Sequence, residues 1–111
     1  MTAEEAQRAL DELRAAIDDV DVRILALFNE RARVVEAIGE IKRISALPIY
    51  EPKREELVFQ NVLAHNDGPL PEDAVRRMFE RIIDEMRTLQ RERMRRAQQL
   101  QAERERAQSG N

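Results

Sequence analysis

Some polar side chains of this 111-residue chain occupy positions where a helical pattern calls for apolar ones. One run of residues spaced by seven is Leu10, Ile17, Ile24, Arg31 and Ile38. Arg31 therefore places a guanidinium group on a face that is otherwise aliphatic. Burying an unpaired cation is costly, so such a position calls for a carboxylate partner or for an anionic ligand.

Further polar groups accompany Arg31. Lys42 lies within roughly 20° of the same helix face, whereas Arg14 is rotated away by roughly 100° and lies about 25 Å along the helix. One helix therefore cannot bring all three cations to one ligand. In an antiparallel or crossed dimer, Arg14 of one copy can approach the Arg31–Lys42 stretch of the other. Later in the chain, Gln90 continues an apolar stripe with an amide, four residues after Met86.

The composition excludes several other chemistries. The chain has no Cys, so it has neither a thiolate nucleophile nor a disulfide framework, and His65 alone cannot form a histidine metal cluster. The sequence therefore offers no thiolate metal site and no histidine metal cluster. A net charge of -3 gives no reason to expect nucleic acid. No apolar run approaches the length of a membrane span, and the polar start MTAEEAQ is unlike a signal peptide, so a cytoplasmic location is expected.

The elements that must position these groups are helices. A second run of apolar residues spaced by seven lies alongside the first one: Leu13, Val20, Leu27, Val34 and Ile41. Pro48 stops the helical pattern. The two runs predict one helix from about Glu5 to Ile44, about 60 Å long. Two shorter helices cannot cover such a rod along its length. We therefore expect an all-α chain with a very long first helix, intertwined with a second copy as an obligate homodimer.

Two more helices are predicted after Pro48. Pro52 suits the first position of a second helix, which ends near the breaker cluster from Asn66 to Pro69. Pro71 opens a third helix. Its apolar stripe is Val75, Met78, Phe79, Ile82, Ile83, Met86 and Leu89. We expect one helical domain over residues 1–95, followed by a polar tail over residues 96–111 that frays or is disordered.

Several stretches of the chain together resemble a known family. They are LRAAID (13–18), LFNERA (27–32), VVEAIGEIK (34–42), PIYEPKRE (48–55) and FERIIDEMRTLQ (79–90). In this order they are similar to the all-helical chorismate mutases of the intertwined-dimer class. The resemblance covers about residues 8 to 92. Each stretch alone is weak, but the Arg, Lys, Arg-Glu and Gln residues at the family's spacing are specific together.

The resemblance implies an isomerase that converts chorismate to prephenate in aromatic amino-acid biosynthesis. This pericyclic rearrangement needs no nucleophile, general base, metal or cofactor. Catalysis then comes from holding the reactive conformer and from electrostatic stabilisation of the breaking ether bond. Arginine forks suit a dicarboxylate substrate.

The resemblance also implies a role for each matching residue. Arg14 reaches a substrate carboxylate across the dimer, and Arg31 binds a carboxylate from within the same chain. Lys42 contacts a carboxylate and the ether oxygen, to which Gln90 donates a hydrogen bond. The remaining matches are Glu55 as acceptor for the ring hydroxyl, Glu51 as a supporting acid, Arg54 as an ordering group, and Ile38 and Ile83 as apolar walls. Met86 departs from the small hydroxyl residue of some relatives, and Glu51 is longer than the acid of some others.

Three alternatives remain open. An isochorismate-pyruvate lyase resembles these mutases and uses similar cations. The chain could instead be a regulatory module that works in a complex with, or fused to, another enzyme of the aromatic pathway. A helical dimerisation protein would carry the same charges as solvated faces, although it would have no reason to interrupt its apolar run with Arg31.

Overall fold

The computed structural model describes residues 1–110 and contains three α-helices. Helix α1 spans Ala3–Ile44, α2 spans Pro52–Ala64 and α3 spans Glu72–Ser109. Residues 1–110 contain no β-strand. The prediction of an all-α chain of three helices with a very long first helix is therefore confirmed.

Helix α1 begins and ends with charges that suit its dipole. The Thr2 hydroxyl accepts a hydrogen bond from the amide of Glu5 at 3.1 Å, and Glu4 and Glu5 lie in the first turn. Lys42 and Arg43 lie in the last turn. The helix is 42 residues long, which corresponds to about 63 Å.

The chain divides into two compact units, Met1–Arg33 and Val34 to the end, and α1 contributes to both. The first unit consists of a single helical stretch. Its apolar side chains are between 40% and 63% exposed along the two runs spaced by seven: Leu10, Leu13, Ile17, Val20, Ile24 and Leu27. An apolar stripe of this length in water is not covered by anything within its own unit.

The second unit holds the packed part of the chain. Its buried side chains among the described residues are Val75, Ile83 and Lys42. Helix α2 packs against α3, where the guanidinium of Arg76 lies over the ring of Phe59 at 4.9 Å. A buried lysine is unusual beside so small a set of buried apolar residues. It marks the part of this unit where packing alone does not explain the sequence.

The connections follow the breaker residues, with one difference from the sequence expectation. Pro52 begins α2, as predicted. Pro71, however, stays extended and precedes α3, and its carbonyl accepts hydrogen bonds from the amides of Ala74 and Val75 at 3.1 Å each. Between α2 and α3, the amide of Gly68 donates a hydrogen bond to Asn66 Oδ1, and Asn66 Nδ2 donates one to the carbonyl of Leu70. Gly68 has a φ of 81°, which suits glycine.

Helix α3 continues to Ser109, through the stretch in which we expected a fraying or disordered tail. Its residues 98–109 are all exposed, and Leu100 is the largest apolar side chain among them. The domain boundary near residue 95 stays a prediction. Within residues 1–110, no helix combines the length and the apolar character that crossing a membrane requires.

Candidate functional site

The buried ammonium group of Lys42 is the centre of the candidate site. Its Nζ donates a hydrogen bond to the carbonyl of Ile49 at 3.1 Å and pairs with Glu51 Oε2 at 3.2 Å. The Lys42 side chain is 8% exposed, whereas that of Glu51 is 47% exposed. An ammonium group has three hydrogens, one more than these two partners use. Lys42 is thus stabilised by its surroundings, and these two partners leave one of its hydrogens unused.

The turn after α1 supplies both partners of Lys42. The amide of Leu47 donates back to the carbonyl of Lys42 at 2.8 Å, and Ala46 has a positive φ of 52°. A non-glycine residue in this region marks a sharp, over-determined turn. The turn brings residues 49 and 51 back to the end of α1, just before Pro52 begins α2.

Arg43, the next residue, behaves in a different way. It is exposed and donates a hydrogen bond from Nε to Glu40 Oε2 at 3.0 Å. This hydrogen bond, together with the charge of Arg43, lowers the pKa of the exposed Glu40 carboxyl. Two adjacent basic residues on the last turn therefore differ: Arg43 makes a surface pair, and Lys42 is enclosed.

Gln90 of α3 lies against the same part of α1. Its Nε2 donates a hydrogen bond to the carbonyl of Val35 at 3.3 Å. Because a carbonyl only accepts, this contact fixes which end of the amide faces α1. Val35, Gly39 and Lys42 follow one another at spacings of four and three, so they share one face of α1.

Gly39 of α1 lies next to the Gln90 side chain of α3. A Cβ placed on Gly39 would lie 3.5 Å from Cγ of Gln90, at ordinary contact distance. A methyl group at this position would therefore fit beside the Gln90 side chain. Next to it, Arg93 pairs with Glu36 at 3.0 Å, which adds a second bridge from α3 to α1 within this unit.

The other predicted site residues of α1 and α3 lie nearby in their helices. Ile83 is buried and Met86 is half-buried, and both share a face of α3 with Gln90. Ile38 is 43% exposed and lies one turn before Lys42. The structure thus places these side chains along helix faces that also carry Lys42 and Gln90.

The predicted residues of α2 behave differently from one another. Arg54 is exposed in the first turn of α2. Glu55 is half-buried and forms an ion pair with Arg87 of α3. Arg87 also contacts Asp84 at 3.4 Å and lies over the ring of Tyr50 at 5.2 Å. We did not expect Arg87 from the sequence, although its position four residues after Ile83 and three before Gln90 was a usable signal.

Arg14 and Arg31 belong to the first unit. Arg14 is 65% exposed on its side chain and lies 3.9 Å from Asp11, one turn earlier. Arg31 is half-buried and has an interaction partner. Their assignment to a ligand, like that of the other site residues, stays a prediction.

Together these features define a class: an all-helical chain with an enclosed lysine on one helix and a hydrogen-bonded amide that reaches the same helix from another. The sequence profile described as chorismate mutase type II matches residues 13–91. The chain belongs to this family.

Individual relatives agree with the family. The chain is 41% identical over 88 residues to a bifunctional chorismate mutase/prephenate dehydratase of Neisseria gonorrhoeae, which covers 76% of this chain and 24% of the relative. It is 30% identical to a chorismate mutase of Methanocaldococcus jannaschii, over 75% of this chain and 85% of the relative. A solved chorismate mutase structure (form II) from Thermus thermophilus matches with a TM-score of 0.73 and 36% identity, over 75% of this chain and 94% of that one. The chain spans about a quarter of the length of the bifunctional relatives it matches.

The contact between Gly39 and Gln90 generates a stability prediction. We expect Gly39→Ala to raise the free energy of unfolding by about 0.5–1 kcal/mol, because alanine fits at contact distance and favours the helix. The matched control is Ala37→Gly on the exposed side of α1, which should lower the free energy of unfolding by a similar amount. Denaturant unfolding measures both. A loss of stability in Gly39→Ala would contradict the packing described here.

Proposed function

We propose that this chain is an enzyme, a chorismate mutase that rearranges chorismate to prephenate. The observation that carries the proposal is the enclosed Lys42 ammonium group, with Gln90 fixed against the same face of α1. The membership of the chain in the chorismate mutase type II family supports the same activity. The reaction makes and breaks bonds within one molecule, so the protein has to select a conformation and stabilise charge.

Lys42 and Gln90 suit the developing charge at the ether oxygen. In the folded chain, Lys42 uses two of its three hydrogens, and the amide of Gln90 uses one of two for Val35. Each keeps one donor for the substrate. Both donors are held before the substrate arrives, and a preorganised donor needs little rearrangement during the reaction.

The other predicted residues take the roles that the family resemblance implies. Arg31 binds a substrate carboxylate from within the same chain, Lys42 contacts a carboxylate and the ether oxygen, and Arg14 of a second copy reaches a carboxylate across the dimer. Glu55, supported by Glu51 and Arg54, accepts the hydrogen bond of the ring hydroxyl. Ile38, Ile83 and Met86 form the apolar surroundings. None of these roles requires a metal or a cofactor.

The exposed apolar stripe of the first unit supports a homodimer with shared active sites. Six aliphatic side chains on two heptad runs are 40% to 63% exposed there, and a second copy of the same stripe is the partner that fits a seam of this length. Sedimentation should give twice the chain mass of 13.0 kDa at micromolar concentration. A stable folded monomer would contradict the dimer.

The setting of the enzyme follows from its relatives. Some of them are fused to prephenate dehydratase, so a complex with or fusion to another enzyme of the aromatic pathway is part of the proposal. The cytoplasmic location stays an expectation from the sequence.

The activity is tested with the purified chain and chorismate, by following substrate loss and identifying the product. We expect prephenate, and a loss of about 100-fold or more in kcat/KM for Arg31→Ala, because an arginine fork to a carboxylate would be removed. The control is Arg33→Ala, an exposed neighbour whose loss should leave turnover unchanged.

Other outcomes would replace the proposal. Salicylate plus pyruvate from isochorismate, with no prephenate from chorismate, would identify a lyase of the same fold. Chorismate binding without turnover would identify a regulatory or partner-dependent module. A folded dimer that neither binds nor converts chorismate would be a structural protein.

A further inference from the structure

Arg87 links three groups around the start of α2. One of its terminal nitrogens pairs with Glu55 Oε1, the other contacts Asp84 at 3.4 Å, and its Cζ lies over the ring of Tyr50, 5.2 Å from the centroid. Its side chain is only 20% exposed and that of Glu55 is 24% exposed. Each contact restricts the guanidinium in a different direction, so its orientation is well determined.

Other charge pairs of α3 are unlike this one. Arg81 pairs with Glu85 at 2.9 Å, but these side chains are 80% and 60% exposed, and both belong to the same helix. Such a pair is screened by water and contributes little. The Arg87–Glu55 pair crosses from α3 to α2 and is shielded from solvent, where charge-assisted hydrogen bonds hold their geometry more firmly.

The position of Arg87 connects it to the candidate site. It lies three residues before Gln90 and four after Ile83, on the same face of α3. Its partner Glu55 lies in the first turn of α2, which follows the turn that encloses Lys42. The pair therefore joins the Gln90 face of α3 to the segment that neutralises Lys42.

We propose that Arg87 is a positioning residue that aims the carboxylate of Glu55 at the ring hydroxyl of chorismate. This inference rests on the proposed function. A carboxylate has two oxygens, and Arg87 engages Oε1, which leaves Oε2 to accept from the substrate hydroxyl. Arg87 acts through Glu55 and does not touch the substrate.

The ring hydroxyl takes no part in the bonds that break and form. Its contact with Glu55 is accordingly much the same in the ground state and in the transition state, and its loss should appear in KM more than in kcat. A purely structural pair between α2 and α3 would instead affect every substrate alike. This difference separates a positioning role from a stabilising one.

The test compares Arg87→Met with the control Arg81→Met, using chorismate and an analogue that lacks the ring hydroxyl. For chorismate, we expect Arg87→Met to raise KM by about tenfold or more with little change in kcat. The reason is that the Glu55 carboxylate is no longer held in place for its hydrogen bond with the ring hydroxyl. For the analogue, Arg87→Met and the wild-type chain should have the same KM. Arg81→Met should match the wild-type chain on both substrates.

Two further variants complete the test. Arg87→Lys keeps a cation near Glu55, so its KM for chorismate should lie between that of Arg87→Met and that of the wild-type chain. In a Glu55→Gln background, Arg87→Met should add almost nothing, because the group it positions is already altered.

Each contrary result points to one conclusion. An equal loss on both substrates, or a loss of folding in both Arg87→Met and Arg87→Lys, overturns the inference and assigns the pair to stability. A wild-type chain that does not convert chorismate overturns the proposed function itself. A wild-type chain that makes prephenate, with Arg87→Met unchanged, overturns the role of Arg87 alone.

Discussion

The enclosed charge of Lys42 is the constraint around which the second unit is arranged. A buried ammonium group without partners is too costly to persist, so the chain must bring oxygen atoms to it. The carbonyl of Ile49 and the carboxylate of Glu51 do so, at 3.1 and 3.2 Å. Methionine or leucine at this position would satisfy the packing without either partner. Packing therefore does not explain the lysine at this position, and the proposed function gives its charge a use.

The local backbone follows from this requirement. Helix α1 ends at Ile44, two residues after Lys42, and the chain has to reverse within a few residues. Ala46 adopts a positive φ in this turn, a conformation that costs free energy for any residue with a Cβ. Pro52 then starts α2, so that Glu51 and Glu55 are placed on either side of that helix start. The strained turn and the buried lysine are two parts of one arrangement.

Helix α3 completes the arrangement from the other side. Gln90 donates to the carbonyl of Val35 on α1, and its Cγ lies at ordinary contact distance from the place where a Cβ on Gly39 would be. Arg87, one turn earlier, reaches Glu55 of α2. Polar side chains of α3 thus contact both neighbouring segments, and this explains why its inner face is less apolar than packing alone would require. The chain keeps hydrogen-bond donors where a core would have aliphatic groups.

Much of the fold could be predicted from the sequence, because its signals are local. Apolar residues at heptad spacing indicate the long α1, and Pro52 marks the start of α2. Arg31 and Lys42 stand out because they interrupt or adjoin those runs. Their roles, however, came from a family resemblance and not from periodicity. The pattern also placed Pro71 inside α3, since a proline at the first helical position and one just before it look alike in sequence.

The sequence could not reveal the contacts that depend on the turn. Nothing in residues 45–51 indicates that Ala46 adopts a positive φ, and so the partners of Lys42 were not predictable. The spacing of Arg87 from Ile83 and Gln90 placed it on their helix face, but its pairing with Glu55 could not be predicted from a helix rich in Arg and Glu. Residues 96–109 are helical, and the expectation that this polar tail frays stays a prediction, because a polar sequence with good helix propensity resembles a disordered one.

The most direct test of the central claim compares Lys42→Met with Arg43→Met, two adjacent basic residues of which only the first is enclosed. For each variant, the rate of chorismate turnover and the midpoint temperature of thermal unfolding are measured. The account predicts that Lys42→Met keeps or gains stability, because an apolar side chain of similar length replaces a buried charge, and loses prephenate formation. Arg43→Met should keep both properties. If Lys42→Met retained turnover, or lost its fold while Arg43→Met did not, Lys42 would be a structural residue and the account would be wrong.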